Sequence, residues 1–247
     1  MDSAGPPPDS LYDEGTKLAS MGRYNESVQM FRRVLARDPS YVPALVSMAG
    51  SMNRLGLFCE ALSFCEQATQ LDHRSPDAWF MRASCLYILV RFPDALHCLQ
   101  RVTDLDPDHA EAWFLSGNCF YQQEEFDRAV QCYEKTLLLD PCYPKAWYNK
   151  GVALADKEEF QEALESYHEA LALNPGVAVV LSNAGVCLAK LGRLQEALQY
   201  FDQALDLDPR EISAWNNKGM VLSQLGRDAE AMECFAKARE LNKTRIR

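Results

Sequence analysis

A 34-residue period runs through this chain and narrows its folding choices more than any other feature. Trp79, Trp113 and Trp147 are 34 residues apart, and Trp215 falls two further periods on. Pro107, Pro141, Pro175 and Pro209 keep the same interval, with Pro39 two periods before Pro107. Ala61, Ala95, Ala129, Ala163, Ala197 and Ala231 form an unbroken third series. Chance does not align three residue types at one period. A period of this length marks a stack of supersecondary units, each burying its apolar face against the next.

Each unit reads as two amphipathic helices. In 110–143, Trp113, Gly117 and Phe120 are spaced four and three apart and share one helical face. Glu124-Glu125 interrupts the pattern, and Ala129, Tyr133 and Thr136 resume it on a second helix. Asp140-Pro141 closes the unit, because proline cannot continue a helix and disfavours helical backbone just before it. Gly117 and Ala129 are expected to let the two backbones approach closely, with aromatic residues filling the space around them.

On these residues the chain resembles the tetratricopeptide repeat family, whose pattern is W-x2-L-G-x2-Y, then A-x3-F, then P. Seven repeats fit, over 8–41, 42–75, 76–109, 110–143, 144–177, 178–211 and 212–245, after a short flexible tail at 1–7. Leu11, Leu45 and Leu181 replace the Trp, Ala49 and Ala83 the Gly, and Ser27 the Ala. Arg82, Ser116, Lys150 and Lys218 occupy the Leu position. The resemblance implies an all-α fold, a right-handed superhelical solenoid with a concave groove that holds a partner's extended peptide or helix. At the C-terminal end, Arg239 stands where other repeats have Leu or Thr, and Lys243 replaces the closing Pro. Met232 and Phe235 are expected on the uncovered side there.

Bulk properties exclude several functions. Asp and Glu outnumber Lys and Arg 35 to 25, a net charge of −10, which disfavours nucleic acid as a partner. The short basic run at the end, Lys243 to Arg247, is most simply a favourable charge near a helix C-terminus. No apolar run approaches the roughly 20 residues that span a bilayer. Met1 to Pro8 lacks the basic start and apolar stretch of a signal peptide, so a cytoplasmic location is expected. Of nine cysteines, Cys85, Cys119 and Cys187 share one repeat position and Cys98, Cys132 and Cys234 another. Such placement suits small core residues with free thiols. His73, His97, His109 and His168 lie apart in the repeat, and neighbours such as His97-Cys98 point about 100° apart on a helix. No nucleotide-binding or hydrolase motif appears. Neither catalysis, metal nor cofactor is expected. The pairs Glu124-Glu125 and Glu158-Glu159 read as solvated turns that favour the following helix N-terminus.

What remains is the face that the repeats do not use for packing. Counted from the Trp position, residues −2, +1, +5 and +8 of each first helix share that face. The +1 series is Tyr12, Val46, Phe80, Phe114, Tyr148, Ser182 and Asn216, and Tyr87 and Tyr121 stand at +8. The aromatic group Phe80, Tyr87, Phe114, Tyr121 and Tyr148 either packs helices together or anchors apolar partner side chains. Asn149, Asn183 and Asn217 recur at +2, with Asn118 at +5 one repeat earlier. Asn is a poor helix former, and its carboxamide can grip both polar groups of a peptide backbone. The other reading of this row is a solvated polar edge. Members that clamp a chaperone's carboxylate tail place Lys and Arg beside such asparagines. Here the −2 positions are Asp9, Pro43, Asp77, Glu111, Lys145, Val179 and Ser213, so that clamp is disfavoured. The expected function is an adaptor that binds a protein or peptide segment. The alternative is a scaffold that self-associates as a weak homodimer through its C-terminal end.

Overall fold

A computed structural model describes residues 8–245, and the tail at 1–7 lies outside the described residues. The chain divides into two compact units, Met1–Gln123 and Glu124–Arg247. In the first, α1 (Pro8–Ser20) pairs with α2 (Tyr24–Arg37), α3 (Val42–Arg54) with α4 (Phe58–Leu71), and α5 (Pro76–Ile88) with α6 (Phe92–Leu105), followed by α7 (Ala110–Gln122). The second begins with α8 (Phe126–Leu139). There α9 (Pro144–Asp156) pairs with α10 (Phe160–Leu173), α11 (Ala178–Lys190) with α12 (Leu194–Leu207), and α13 (Ile212–Gln224) with α14 (Asp228–Arg245). Fourteen helices and no strand make up the described residues, an all-α array of repeated helix pairs.

The turn inside each pair has one recurring geometry. Gly22, Gly56, Gly192 and Gly226 take positive φ between 73° and 79°. The following amide then reaches back to close the first helix, as in Arg23 N–H to Leu18 C=O and Arg193 N–H to Leu188 C=O, both 2.9 Å. Val90, Glu124 and Glu158 occupy the same place with φ of 60–63°, although their side chains disfavour it. Beside them, Glu125 pairs with Arg128 and Glu159 with Lys157, each at 2.7 Å.

The turn between pairs is built differently. Asp38, Asp72, Asp106, Asp140 and Asp208 each accept a hydrogen bond from the backbone amide two residues on, at 2.9–3.2 Å. Four of those bonds cross a proline, where helix cannot continue, and the bond of Asp72 crosses His73. Each Trp locks this turn from the next helix. The Nε1–H of Trp79, Trp113, Trp147 and Trp215 donates to the carbonyl six residues earlier, always at 3.0 Å.

Packing inside a pair follows a size rule. A Cβ at Gly15, Gly151, Gly185 or Gly219 would lie 2.6–2.7 Å from the ring of Phe31, Tyr167, Phe201 or Phe235, sixteen residues on. The glycine thus makes room for a ring of the second helix. Where the glycine becomes Ala49 or Ala83, the ring becomes the smaller Cys65 or Leu99, all four fully buried. The cations at the Leu position have their own partners. Arg82, Lys150 and Lys218 lie over Trp79, Trp147 and Trp215 and reach Glu66, Glu134 and Asp202 of the preceding second helix.

All nine cysteines are free, and only Cys59 and Cys142 are exposed. On α14, Met232 is 72 % exposed, as expected. Phe235 departs from expectation: its ring presses on Gly219, and it is half-buried against the core of the second unit. No helix among the described residues is long and apolar enough to cross a membrane.

Candidate functional site

Each first helix touches the first helix of a neighbouring pair, α1 with α3 and α5 in turn within one unit, α9 with α11 and α13 within the other. Within each unit the corresponding second helices make no such contact among the described residues. Within each unit, therefore, the first helices crowd together and the second helices splay apart. The first-helix side is the inner one, and the candidate residues sit on it.

In the first unit, α1, α3 and α5 enclose a groove of about 330 Å³. Tyr12, Val42, Val46, Phe80 and Met81 make its apolar wall, and Asp72 and Asp77 stand at its edge. Tyr12 and Ser47 share a hydrogen bond of 3.1 Å between α1 and α3. Burial, followed by the carboxylates of Asp9 and Asp13 and by Tyr12, raises the Tyr41 hydroxyl above its ordinary range. The Phe80 ring leans on His109 with centroids 4.8 Å apart. His109 is itself fixed, because its Nδ1 accepts the Ala112 amide at 3.2 Å and caps α7. Tyr87 turns to Phe92, 5.6 Å away, and packs on the core. Phe114, Asn118 and Tyr121 are half-buried on α7. The aromatic group is thus divided: Phe80 lines the groove, and Tyr87 belongs mainly to packing.

The second unit holds Tyr148 and the asparagines. Asn183 Nδ2 donates to Tyr148 Oη at 3.3 Å, and burial raises the pKa of the Tyr148 hydroxyl above the usual phenol range. Asn149 is half-buried on α9. Asn217 lines a hollow of about 190 Å³ between α11 and α13, with Val186, Phe201 and Met220. Asn216, its neighbour, is exposed and faces another hollow of about 630 Å³, beside Arg210, Glu211 and Asn242. Adjacent helical residues diverge by about 100°, so these two serve different surfaces.

Sequence reasoning missed one recurring contact. A +1 side chain bonds the +2 side chain of the next pair in Tyr12–Ser47 and in Tyr148–Asn183, each 35 residues apart. The buried Ser182 hydroxyl precedes Asn217 by the same interval but has no partner. The signal was present as two adjacent columns offset by one residue. It also missed Asp72 as a wall of the groove. On the outer side, His168 Nε2 and Tyr200 Oη meet at 2.8 Å in a hollow of about 600 Å³ lined by Leu171, Leu181 and Leu207. Among the described residues no three His, Cys, Asp or Glu side chains gather to hold a metal ion.

Models of the tetratricopeptide repeat match residues 89–146, 120–178, 148–212 and 188–244, and a second such model matches 9–41. No curated protein sequence matches the chain. Among solved structures, pilF of Pseudomonas aeruginosa is 19% identical with a TM-score of 0.75, covering 84% of this chain and 94% of its own. YrrB, described as a TPR protein with an unusual peptide-binding site, is 20% identical with a TM-score of 0.65, covering 74% and 95%. MamA from Desulfovibrio magneticus RS-1 is 22% identical with a TM-score of 0.66, covering 68% and 96%. At these identities the likeness is one of fold.

Proposed function

The chain belongs to the tetratricopeptide repeat family, and from that premise we propose that it is an adaptor holding an extended segment of a partner protein along its first helices. The observation that carries this reading is the groove over α1, α3 and α5, whose apolar wall includes the +1 residues Tyr12, Val46 and Phe80. Half-buried apolar side chains around an open groove are suited to receive apolar side chains of a ligand. The described peptide-binding site of YrrB supports the same use of a similar fold. In the second unit, Asn149, Asn183 and Asn217 would bind peptide backbone, with Asn216 offering a contact on a separate surface. In the first unit, Phe114, Asn118 and Tyr121 of α7 would supply further contacts. This is a binding role and not a catalytic one, and the free thiols suit the reducing cytoplasm.

A photo-crosslinking amino acid at Val46 tests the reading in cells, with Leu207 of the outer side as control. Adducts at Val46 and not at Leu207 are expected. Adducts confined to Leu207 would overturn the proposal.

A second reading has one observation behind it: Met232 stands 72 % exposed on α14. On this reading two copies join weakly there. Sedimentation should then show mass rising with concentration, and Met232→Glu should abolish the rise. A constant monomer mass would discard it.

A further inference from the structure

We infer that the groove of the first unit selects an extended segment in which apolar residues alternate with Lys or Arg. The inference rests on the adaptor reading and names the chemistry of its ligand. The wall is apolar through Val42, Val46 and Phe80, while the charged side chains among the described residues that line the groove are Asp72 and Asp77. Asp77 lies exposed in the first turn of α5, with no ion-pair partner among the described residues. Asp72 is held in place because it accepts the Arg74 backbone amide at 2.9 Å. More negative charge stands nearby, since Asp9 and Asp13 of α1 reach Tyr41, whose ring packs 5.5 Å from that of Tyr12.

The cations of α3 and α5 do not offset this charge. Arg54 donates to Tyr24 at 3.3 Å, and Arg82 turns to Glu66 and the Trp79 ring. An acidic ligand would therefore meet repulsion at the edge, and a neutral apolar one would leave the carboxylates without a counter-charge. In an extended peptide successive side chains point to opposite sides. One row can enter the apolar floor while the other presents its cations to Asp72 and Asp77.

Three labelled synthetic peptides test this by fluorescence polarisation: alternating Leu and Lys, alternating Leu and Glu, and alternating Ser and Lys. The Leu–Lys peptide should bind about tenfold tighter than either of the others, and the preference should shrink as salt rises. Asp72→Asn with Asp77→Asn should reduce Leu–Lys to the Leu–Glu level. Asn keeps the acceptor that the Arg74 amide uses, so the turn survives. The control pair Glu60→Gln with Asp108→Asn, exposed and outside the groove, should leave the preference intact. A preference that survives the Asp72/Asp77 change, or equal binding of Leu–Lys and Leu–Glu, would overturn the charge selection. Phe80→Ala separates the two levels of the argument, with Val46→Asn in reserve if that variant does not melt cooperatively. If it weakens both Leu peptides while the Asp72/Asp77 change leaves their ratio untouched, the groove binds peptide without regard to charge. If it changes none, the adaptor reading of this groove falls as well.

Discussion

Single residues carry the clearest tests of strain. Val90 holds φ at 61° where four other repeats use glycine, and a β-branched side chain is strained there. Val90→Gly should stabilise the protein by about 1 kcal/mol after the added freedom of the unfolded chain is deducted. Glu124→Gly and Glu158→Gly should gain less. Urea titration measures all three, and a loss of stability in the Val90 variant would contradict the strain. The asparagine row needs a finer test, because Asn183 already donates to Tyr148. Asn183→Ala with Asn217→Ala should weaken binding of the recovered partner by about 2 kcal/mol, roughly thirtyfold. It should also cost about 1 kcal/mol of stability through the lost bond. Tyr148→Phe isolates that second effect, lowering stability similarly while leaving calorimetric affinity unchanged. Unchanged affinity in the asparagine variant would reduce the row to a structural clasp. Thiols give a third test. In the folded protein Cys59 and Cys142 should react promptly, and all nine should react on unfolding without reductant. Burial pushes Cys98, Cys132 and Cys187 up to about 11 from 9.0. The unfolded chain therefore loses these protons first, and stability should fall as pH rises from 9.0 towards about 11. Flat alkaline stability would argue against that burial.

At the scale of elements, the pairing of first and second helices is set by complementary size. Gly185→Ala would drive a methyl to 2.7 Å from the Phe201 ring, and should cost about 2 kcal/mol. Phe201→Leu in the same chain should recover part of that loss, because Ala83 with Leu99 is a combination the protein already uses. Equilibrium unfolding of the four members of the cycle checks this, and strictly additive losses would refute the size rule. Both helices of every repeat were legible from Trp, Gly, Ala and Pro in register. The size rule was written in the same columns, but it emerges only when position 15 is read against position 31, and so on through the repeats. The groove was partly legible. Phe80 stood in the right column, while Asp72 lies in a turn, where sequence suggests a cap and not a wall. Asn216 and Asn217 looked like one site until their directions separated them.

For the molecule as a whole, stability in a stacked array is approximately a sum of terms between neighbours. On α14 Met232 is exposed, whereas the equivalent Leu164 and Leu198 of α10 and α12 are buried. Within the second unit, amides of α13 and α14 should exchange with solvent faster than those of α9 to α12, as read by hydrogen-exchange mass spectrometry. Uniform protection across these helices would mean that the unit opens all at once. The net charge of −10 acts at this scale too, as a long-range field that favours the approach of cations over anions.

The glycine–ring pairs also restrict how such a chain can be rearranged. A crossover between repeats at an Asp-Pro turn exchanges complete helix pairs, and each glycine keeps its own ring. A crossover inside a pair does not. Joining the first helix that carries Ala83 to the second helix that carries Tyr167 would place a methyl where the ring leaves room only for Gly151. The reverse graft would leave Gly151 facing Leu99, with a void beside it. Duplication and deletion in this protein can thus proceed freely in steps of one repeat, and the Asp-Pro turns are its natural seams.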